Sequence, residues 1–256
     1  MPYGAAMIDV VGVIATVQPL AYGLAVALGV ATCAVLCVEA RRHPGPWAVT
    51  AARAIGLVLV ALAVSYAVAK AVDGSWSAET DLPLALCNMA VPVAAAACLW
   101  RFPLLVELTW FWGLAGTLQA VITPDLDVGF PDLIFFQYVV GHMTIVTAAL
   151  FLVIGMRITP RPGAVWRVGV VTAAYTAFVG VVDWVTGANY MFLRNPPSNW
   201  TVLRLLGPWP WYIVSAAVVA LVLLAAFDLP FRYARRRTSQ GGERRGATPV
   251  TGGDRR

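Results

Sequence analysis

Seven runs of about twenty apolar residues, separated by short polar or proline-bearing turns, dominate this 256-residue chain. That feature constrains its folding more than any other. A helix rises 1.5 Å per residue, so about 20 residues match the roughly 30 Å hydrocarbon core of a bilayer. Lipid offers no partner to a free N–H or C=O, and continuous apolar runs satisfy their backbone there only as helices. The runs fall at 19–38, 47–72, 82–100, 103–122, 132–156, 165–186 and 210–229. The expected fold is an all-α integral membrane protein, a seven-transmembrane-helix bundle. Composition agrees: 60% of the residues are hydrophobic and 12% charged, where a soluble domain is nearer a quarter charged.

Three parts are expected: an outer-surface N-terminal segment at 1–18, the seven-helix domain at 19–230, and a basic disordered tail at 231–256. The first segment is apolar but interrupted by Asp9 and stopped at Pro19. Without a basic start or room for a cleavage site, it does not read as a removable signal peptide.

Charge gives the expected orientation. With the N-terminus outside and the C-terminus cytoplasmic, only Lys70, Arg194 and Arg204 fall on the outer side, leaving fifteen of the 18 basic residues inside. An excess of Lys and Arg in cytoplasmic loops is the usual insertion signature. The outer loops carry Asp73, Glu79, Asp81, Asp125, Asp127 and Asp132 instead. Six or eight spans would spoil this alternation. The implied location is the cell membrane as a multi-pass protein, in a bacterium the cytoplasmic membrane. The net charge of +5 comes from cytoplasmic anchors and the Gly- and Arg-rich tail, so it does not imply nucleic acid. The tail reads as topology plus weak attraction to anionic lipid. Membrane lipids are the expected partners, and no cofactor or metal is expected. The loops and spans show no repeat of the kind that builds inverted-repeat transporters.

Two residues stand out. Cys33, Cys37 and Cys98 lack metal-like spacing and read as small packing residues. Cys87 stands in Leu82-Pro83-Leu84-Ala85-Leu86-Cys87-Asn88, close to the outer face, with Pro92 five residues on. A proline there cannot bond back to the Asn88 carbonyl, so a kink with one freed acceptor is expected beside Cys87. His142 lies well inside the fifth run, where an ionisable side chain is expensive and faces the bundle interior or a wet cavity. Tyr138, four residues earlier, shares its face. The plain alternative for His142 is a neutral ring bonded to a neighbouring helix. His43, in a basic loop, needs no special role.

Further polar groups gather toward the same outer half: Gln119, Gln137, Asp183, Asn189, Tyr190 and the turn Gly207-Pro208-Trp209-Pro210-Trp211-Tyr212. Interfacial aromatic belts and interhelical amide bonds explain each separately. Together they point to a pocket open to the outer leaflet between the third, fourth, fifth and sixth spans. The inner half shows Glu107 as its main intramembrane acid, near Arg101 in sequence.

The segments Leu82–Asn88, Phe111–Gln119, Phe135-Phe136-Gln137 with His142, Asn189-Tyr190-Met191 and Gly207–Trp211 resemble the bacterial YwaF-like integral membrane family. That family is similar to a mammalian membrane acyltransferase of ether-phospholipid remodelling, which is thought to use a cysteine and a histidine. The resemblance covers about Leu82 to Tyr212. By position it implies Cys87 as the cysteine and His142 as the histidine, with Asp183 less securely matched to an acid.

The chemistry fits such a pair. A thiol attacks an ester as thiolate, and apolar surroundings oppose ionisation of any thiol, so a base must stand within hydrogen-bond reach. Counted from the expected helix starts, Cys87 would sit about 7 Å deep and His142 about 15 Å. Cys87 would lie beyond the first turn of its helix, where the dipole helps little. Three function classes remain. In an acyltransferase Cys87 takes the acyl chain of a phospholipid, His142 serves as base and then acid, and Asn88, Gln119 or Gln137 holds the oxyanion. A lipid hydrolase would use the same site with water as acceptor. A sensor, ligand-binding protein or transporter would use the polar pocket without chemistry, with Tyr138, Asn189, Tyr190 and Trp209 among its lining. A retinal protein is disfavoured because it needs a lysine in the last span, and the chain's one lysine is Lys70. An ion-coupled pump is disfavoured by the scarcity of midplane carboxylates.

Overall fold

The computed structural model describes residues 3–124, 126, 128–196 and 205–246, with side chains between residues 18 and 237. Among them it contains helices and no strand. Helix α1 spans Tyr3–Arg42, α2 Pro46–Val72 and α3 Leu86–Trp100. The fourth crossing is composite: α4 (Pro103–Phe111) passes through a π-helical segment, Trp112–Thr117, into α5 (Leu118–Ile122). Helix α6 (Leu133–Leu150) ends in a second π-helical turn, Phe151–Gly155. Helix α7 spans Ala164–Thr186, a 3-10 turn covers Tyr190–Phe192, and α8 spans Trp211–Gly246. Six of these crossings are long and apolar enough to traverse a bilayer, and α3 is a shorter apolar helix of 15 residues. The protein is a multi-pass, all-α membrane bundle of seven crossing elements.

Burial separates an axis from a surround. Within their most apolar windows, 67% of α6 and 56% of the α4–α5 crossing are buried, against 6% of α1 and 17% of α2, α7 and α8. Residues such as Leu24, Leu28, Val64, Phe178 and Val222 point outward, as lipid-facing positions require. The core depends on small residues. Ala90, Ala94, Ala97 and Cys98 form one buried face of α3, set against Ala52, Ile55, Gly56 and Leu59 of α2. A Cβ at Gly56 would lie 3.1 Å from the Ala95 carbonyl oxygen and 3.1 Å from Cys98 Cβ. Small residues let membrane helices approach this closely, and the gain is dispersion rather than water release.

Several expectations change. Helix α1 continues through Pro19 instead of starting there. Proline removes one backbone bond, a loss that spanning helices tolerate where neighbouring groups re-satisfy the freed carbonyl. Helix α8 continues past the end of its apolar run to Gly246, so the expected disorder from residue 231 is not seen that far. The preceding span has already met the cost of nucleation, and arginine propagates a helix well. Asp228 supports this stretch, accepting from Arg232 at 2.5 Å and from Arg235 at 3.3 Å. Asp125, Asp127, Arg204 and the tail at 247–256 lie outside the described residues.

Glu107 is also partnered differently. It is 1% exposed and accepts from Arg161 Nε at 2.9 Å and Arg167 Nη2 at 2.7 Å. Arg101, its neighbour in sequence, donates to the Cys98 carbonyl. Arg161, in the loop ahead of α7, and Arg167, in the first turn of α7, bring both guanidiniums to the carboxylate in α4. A fork of donors matches a carboxylate well.

Candidate functional site

Helix α3 begins four residues later than its apolar run. Pro83 disfavours helical backbone at Leu82. Tyrosines from elsewhere then hold the chain extended. The Leu82 N–H donates to the Tyr190 hydroxyl at 2.8 Å, that hydroxyl donates to the Ala78 carbonyl at 3.0 Å, and the Tyr175 hydroxyl donates to the Leu84 carbonyl at 2.9 Å. Ala85 is therefore the N-cap, with backbone at φ −60°, ψ 144°. Cys87 is the second helical residue, in the first turn after all. Free N–H groups and the positive end of the helix dipole surround that position and favour a negatively charged sulfur there.

The Cys87 thiol meets the hydroxyl of Thr117, the last residue of the π-helical segment. The two elements are close, since a Cβ on Gly116 would lie 3.3 Å from Leu86 Cδ2. Thr117 is 0% exposed, and its hydroxyl has no hydrogen-bond partner. A π-helix within a crossing is uncommon and often marks a functional site.

His142 reaches this region from α6. Antiparallel register fixes its level. The Tyr138 hydroxyl donates to the Ala120 carbonyl at 2.9 Å, and a Cβ on Gly113 would meet Ala149 Cβ at 3.1 Å and Ile145 Cγ2 at 3.6 Å. Residues between these contacts pair in reverse order, which sets His142 level with Gly116 and Thr117. The His142 ring lies 4.1 Å from the Tyr138 ring, centroid to centroid. His142 Nδ1 is 2.7 Å from the Tyr138 carbonyl oxygen. A carbonyl only accepts, so Nδ1 carries the hydrogen, and the neutral ring keeps its lone pair on Nε2.

The remaining candidates have surroundings and partners of their own. Asn88 and Gln119 are exposed. Gln137 Nε2 donates to Ser65 Oγ of α2 at 2.9 Å, while Gln137 Oε1 is buried and unpartnered. Asn189 organises its own loop, accepting from the Arg194 and Asn195 N–H groups at 2.9 and 3.0 Å. Trp209 is exposed, its indole donating to the Leu193 carbonyl. Asp183 is wholly buried; Oδ1 accepts the Tyr190 N–H at 2.9 Å and Oδ2 has no partner. Asp183 and Tyr190 thus act on Cys87 indirectly, through the segment ahead of α3.

Thr117, Tyr175 and Asp81 escaped the sequence reading. Thr117 lies in Gly113-Leu114-Ala115-Gly116-Thr117, where two small glycines three apart give a signal for close helix approach. Asp81, outside the spans, accepts from Lys70 at 3.0 Å, from the Tyr66 hydroxyl at 3.0 Å and from the Ser77 N–H at 2.9 Å. Burial pushes its carboxyl up, but Lys70, Ser77, Thr80 and Tyr66 together outweigh this and hold it at about 2. Two cavities open elsewhere in the bundle. One of about 250 Å³ is lined by Tyr66, Lys70, Asp132 and Gln137. The other, of about 670 Å³, is an apolar fissure lined by Val26, Leu114, Leu118, Met143 and Phe227.

The family model described as the TMEM164 family matches residues 14–228, all seven crossings and the whole site. The chain belongs to the TMEM164 family. No curated protein and no solved structure matches it. As a TMEM164-family protein it is a multi-pass membrane protein.

Proposed function

We propose that this TMEM164-family protein is a membrane-embedded lipid acyltransferase, a bacterial YwaF-like member in the cytoplasmic membrane with its N-terminus outside. Cys87 is the nucleophile and His142 its base. What supports this reading is Cys87 in the first turn of α3 beside the unpartnered Thr117 hydroxyl, with His142 of α6 level with Thr117 by helix register and its Nδ1 held by the Tyr138 carbonyl. Nε2 takes the thiol proton as sulfur attacks the ester carbonyl of a phospholipid. The S–C bond forms, the ester C–O bond breaks, and the lysophospholipid oxygen leaves with the proton from His142. An acceptor hydroxyl then gives its proton to His142 and attacks the thioester, the C–S bond breaks, and His142 returns that proton to the Cys87 sulfur. The apolar fissure beside Leu118 and Met143 suits one acyl chain.

The test uses purified protein in vesicles of phosphatidylcholine labelled in the acyl chain, with a lysophospholipid acceptor. Cys87→Ala is expected to abolish transfer, and His142→Ala to lower it about 10²- to 10⁴-fold, as loss of a positioned base does. Acyl release to water at the same rate without acceptor would identify a hydrolase instead. Full transfer by Cys87→Ala would end the covalent reading.

A further inference from the structure

We infer that Thr117 is a third catalytic residue, whose hydroxyl donates a hydrogen bond to the Cys87 sulfur when that sulfur is ionised. The inference rests on the reading of Cys87 as the nucleophile.

Other threonines of this fold show what Thr117 does not do. Thr109, Thr144, Thr172 and Thr186 each donate to the carbonyl four residues back, at 2.6–2.8 Å, and Thr123 does so at 3.0 Å. This is the ordinary way a helical threonine satisfies its hydroxyl. Thr117 makes no such bond. It lies in the π-helical segment, where the Gly113 carbonyl, four residues back, accepts the Leu118 N–H instead. The wider turn shifts that carbonyl out of the usual α-helical register and leaves the hydroxyl free to face a neighbour. That neighbour is the Cys87 thiol.

Leaving a wholly buried hydroxyl without a strong acceptor is costly, and native structures rarely do so without a reason. A neutral thiol is a weak partner in either direction. A thiolate is a far better acceptor. The hydroxyl therefore gains its hydrogen bond only when the sulfur is charged, and its stabilisation falls selectively on the reactive form. Selective stabilisation of the reacting state is what speeds a chemical step. Thr117 joins the first-turn N–H groups of α3 as a fixed donor in a site from which water is excluded.

The experiment measures alkylation of Cys87 by N-ethylmaleimide in the full-length protein, quantified on the Cys87 peptide by mass spectrometry, beside acyl transfer on the same samples. A hydrogen bond to a charged group corresponds to a factor on the order of 10 to 100. Thr117→Val, which keeps shape and removes the hydroxyl, is expected to slow Cys87 labelling and acyl transfer by that factor. Thr117→Ser is expected to label within about threefold of the parent, a margin well inside that factor. Should Thr117→Val fail to fold, Thr117→Ala against Thr117→Ser makes the same comparison. Labelling of a hydroxyl-free variant at the parent rate, or of Thr117→Ser as slowly as Thr117→Ala, would overturn the inference. Unchanged acyl transfer in Cys87→Ala overturns the function proposed for Cys87 instead, whatever the labelling shows.

Discussion

A carboxylate's neighbours decide what removing it does, and three acids show this. Glu107 balances two guanidiniums whose side chains are 48% and 34% exposed. Breaking a fully buried pair costs about 3–5 kcal/mol, and solvent around both arginines reduces this, so Glu107→Gln should destabilise by roughly 1–2 kcal/mol in detergent unfolding. Asp81 gives a pH dependence whose sign follows from its partners. Its carboxyl is held at about 2 against an ordinary 3.8. Below 3.8 the unfolded chain takes up the proton while the folded protein resists it, so stability falls with pH there. The contribution is full above about pH 4 and lost toward pH 2, and the difference curve between parent and Asp81→Asn should drop across that window. A flat difference would show that Lys70 and Tyr66 do not hold the charge. Asp183 anchors Tyr190, whose hydroxyl holds both Leu82 and Ala78. Tyr190→Phe leaves a half-buried N–H and carbonyl unpaired, each costing less than the about 1–3 kcal/mol of a fully buried group. It should lower both stability and Cys87 labelling, because it frees the segment that sets the start of α3.

At the scale of elements, close approach limits what the bundle accepts. Gly56 sits against the Ala95 carbonyl, Cys98 Cβ and Leu99 Cγ of α3, none of them the far end of a flexible side chain. Gly56→Val should cost about 1–3 kcal/mol through overpacking, despite glycine's poor helix propensity. Gly23 of α1 has nothing within 4 Å of an added Cβ, so Gly23→Ala should be neutral or slightly stabilising in the same unfolding assay. The π-helical segment is the element whose form matters most to the site. It turns Trp112 toward α7, donating to Thr172 Oγ1 at 2.8 Å, while Thr117 faces α3. The 3.6-residue period of an unbroken helix would have placed these side chains differently.

For the molecule as a whole, the basic residues argue an orientation that accessibility can test. Cysteine reporters introduced, in a background lacking the native cysteines, at 43–46 and 157–163 should react from the cytoplasmic side, and reporters at 74–80 from outside. A loop from each group reacting from the same side would overturn the seven-crossing orientation. Much of the architecture was legible without coordinates. Run length against bilayer thickness gave the seven crossings, and closely matched the ends of α2, α4–α5, α6 and α7 though not those of α1 and α8, because in lipid a long apolar run satisfies its backbone by becoming a helix. An ionisable ring inside such a run marked His142, since lipid makes that placement expensive. What followed from long-range contacts was not legible. The start of α3 is set by Tyr175 at α7's midpoint and Tyr190 beyond its end, and the partners of Glu107 lie 54 and 60 residues away, in the loop ahead of α7 and in its first turn. The π-helix carries no periodic signature, so Thr117 looked like one more polar residue beside Gln119. Local sequence determined which segments enter the membrane, through the cost of exposing backbone and charge to hydrocarbon. Only the tertiary structure decided which polar side chains meet, because that depends on helix register and on hydrogen bonds between residues distant in the chain.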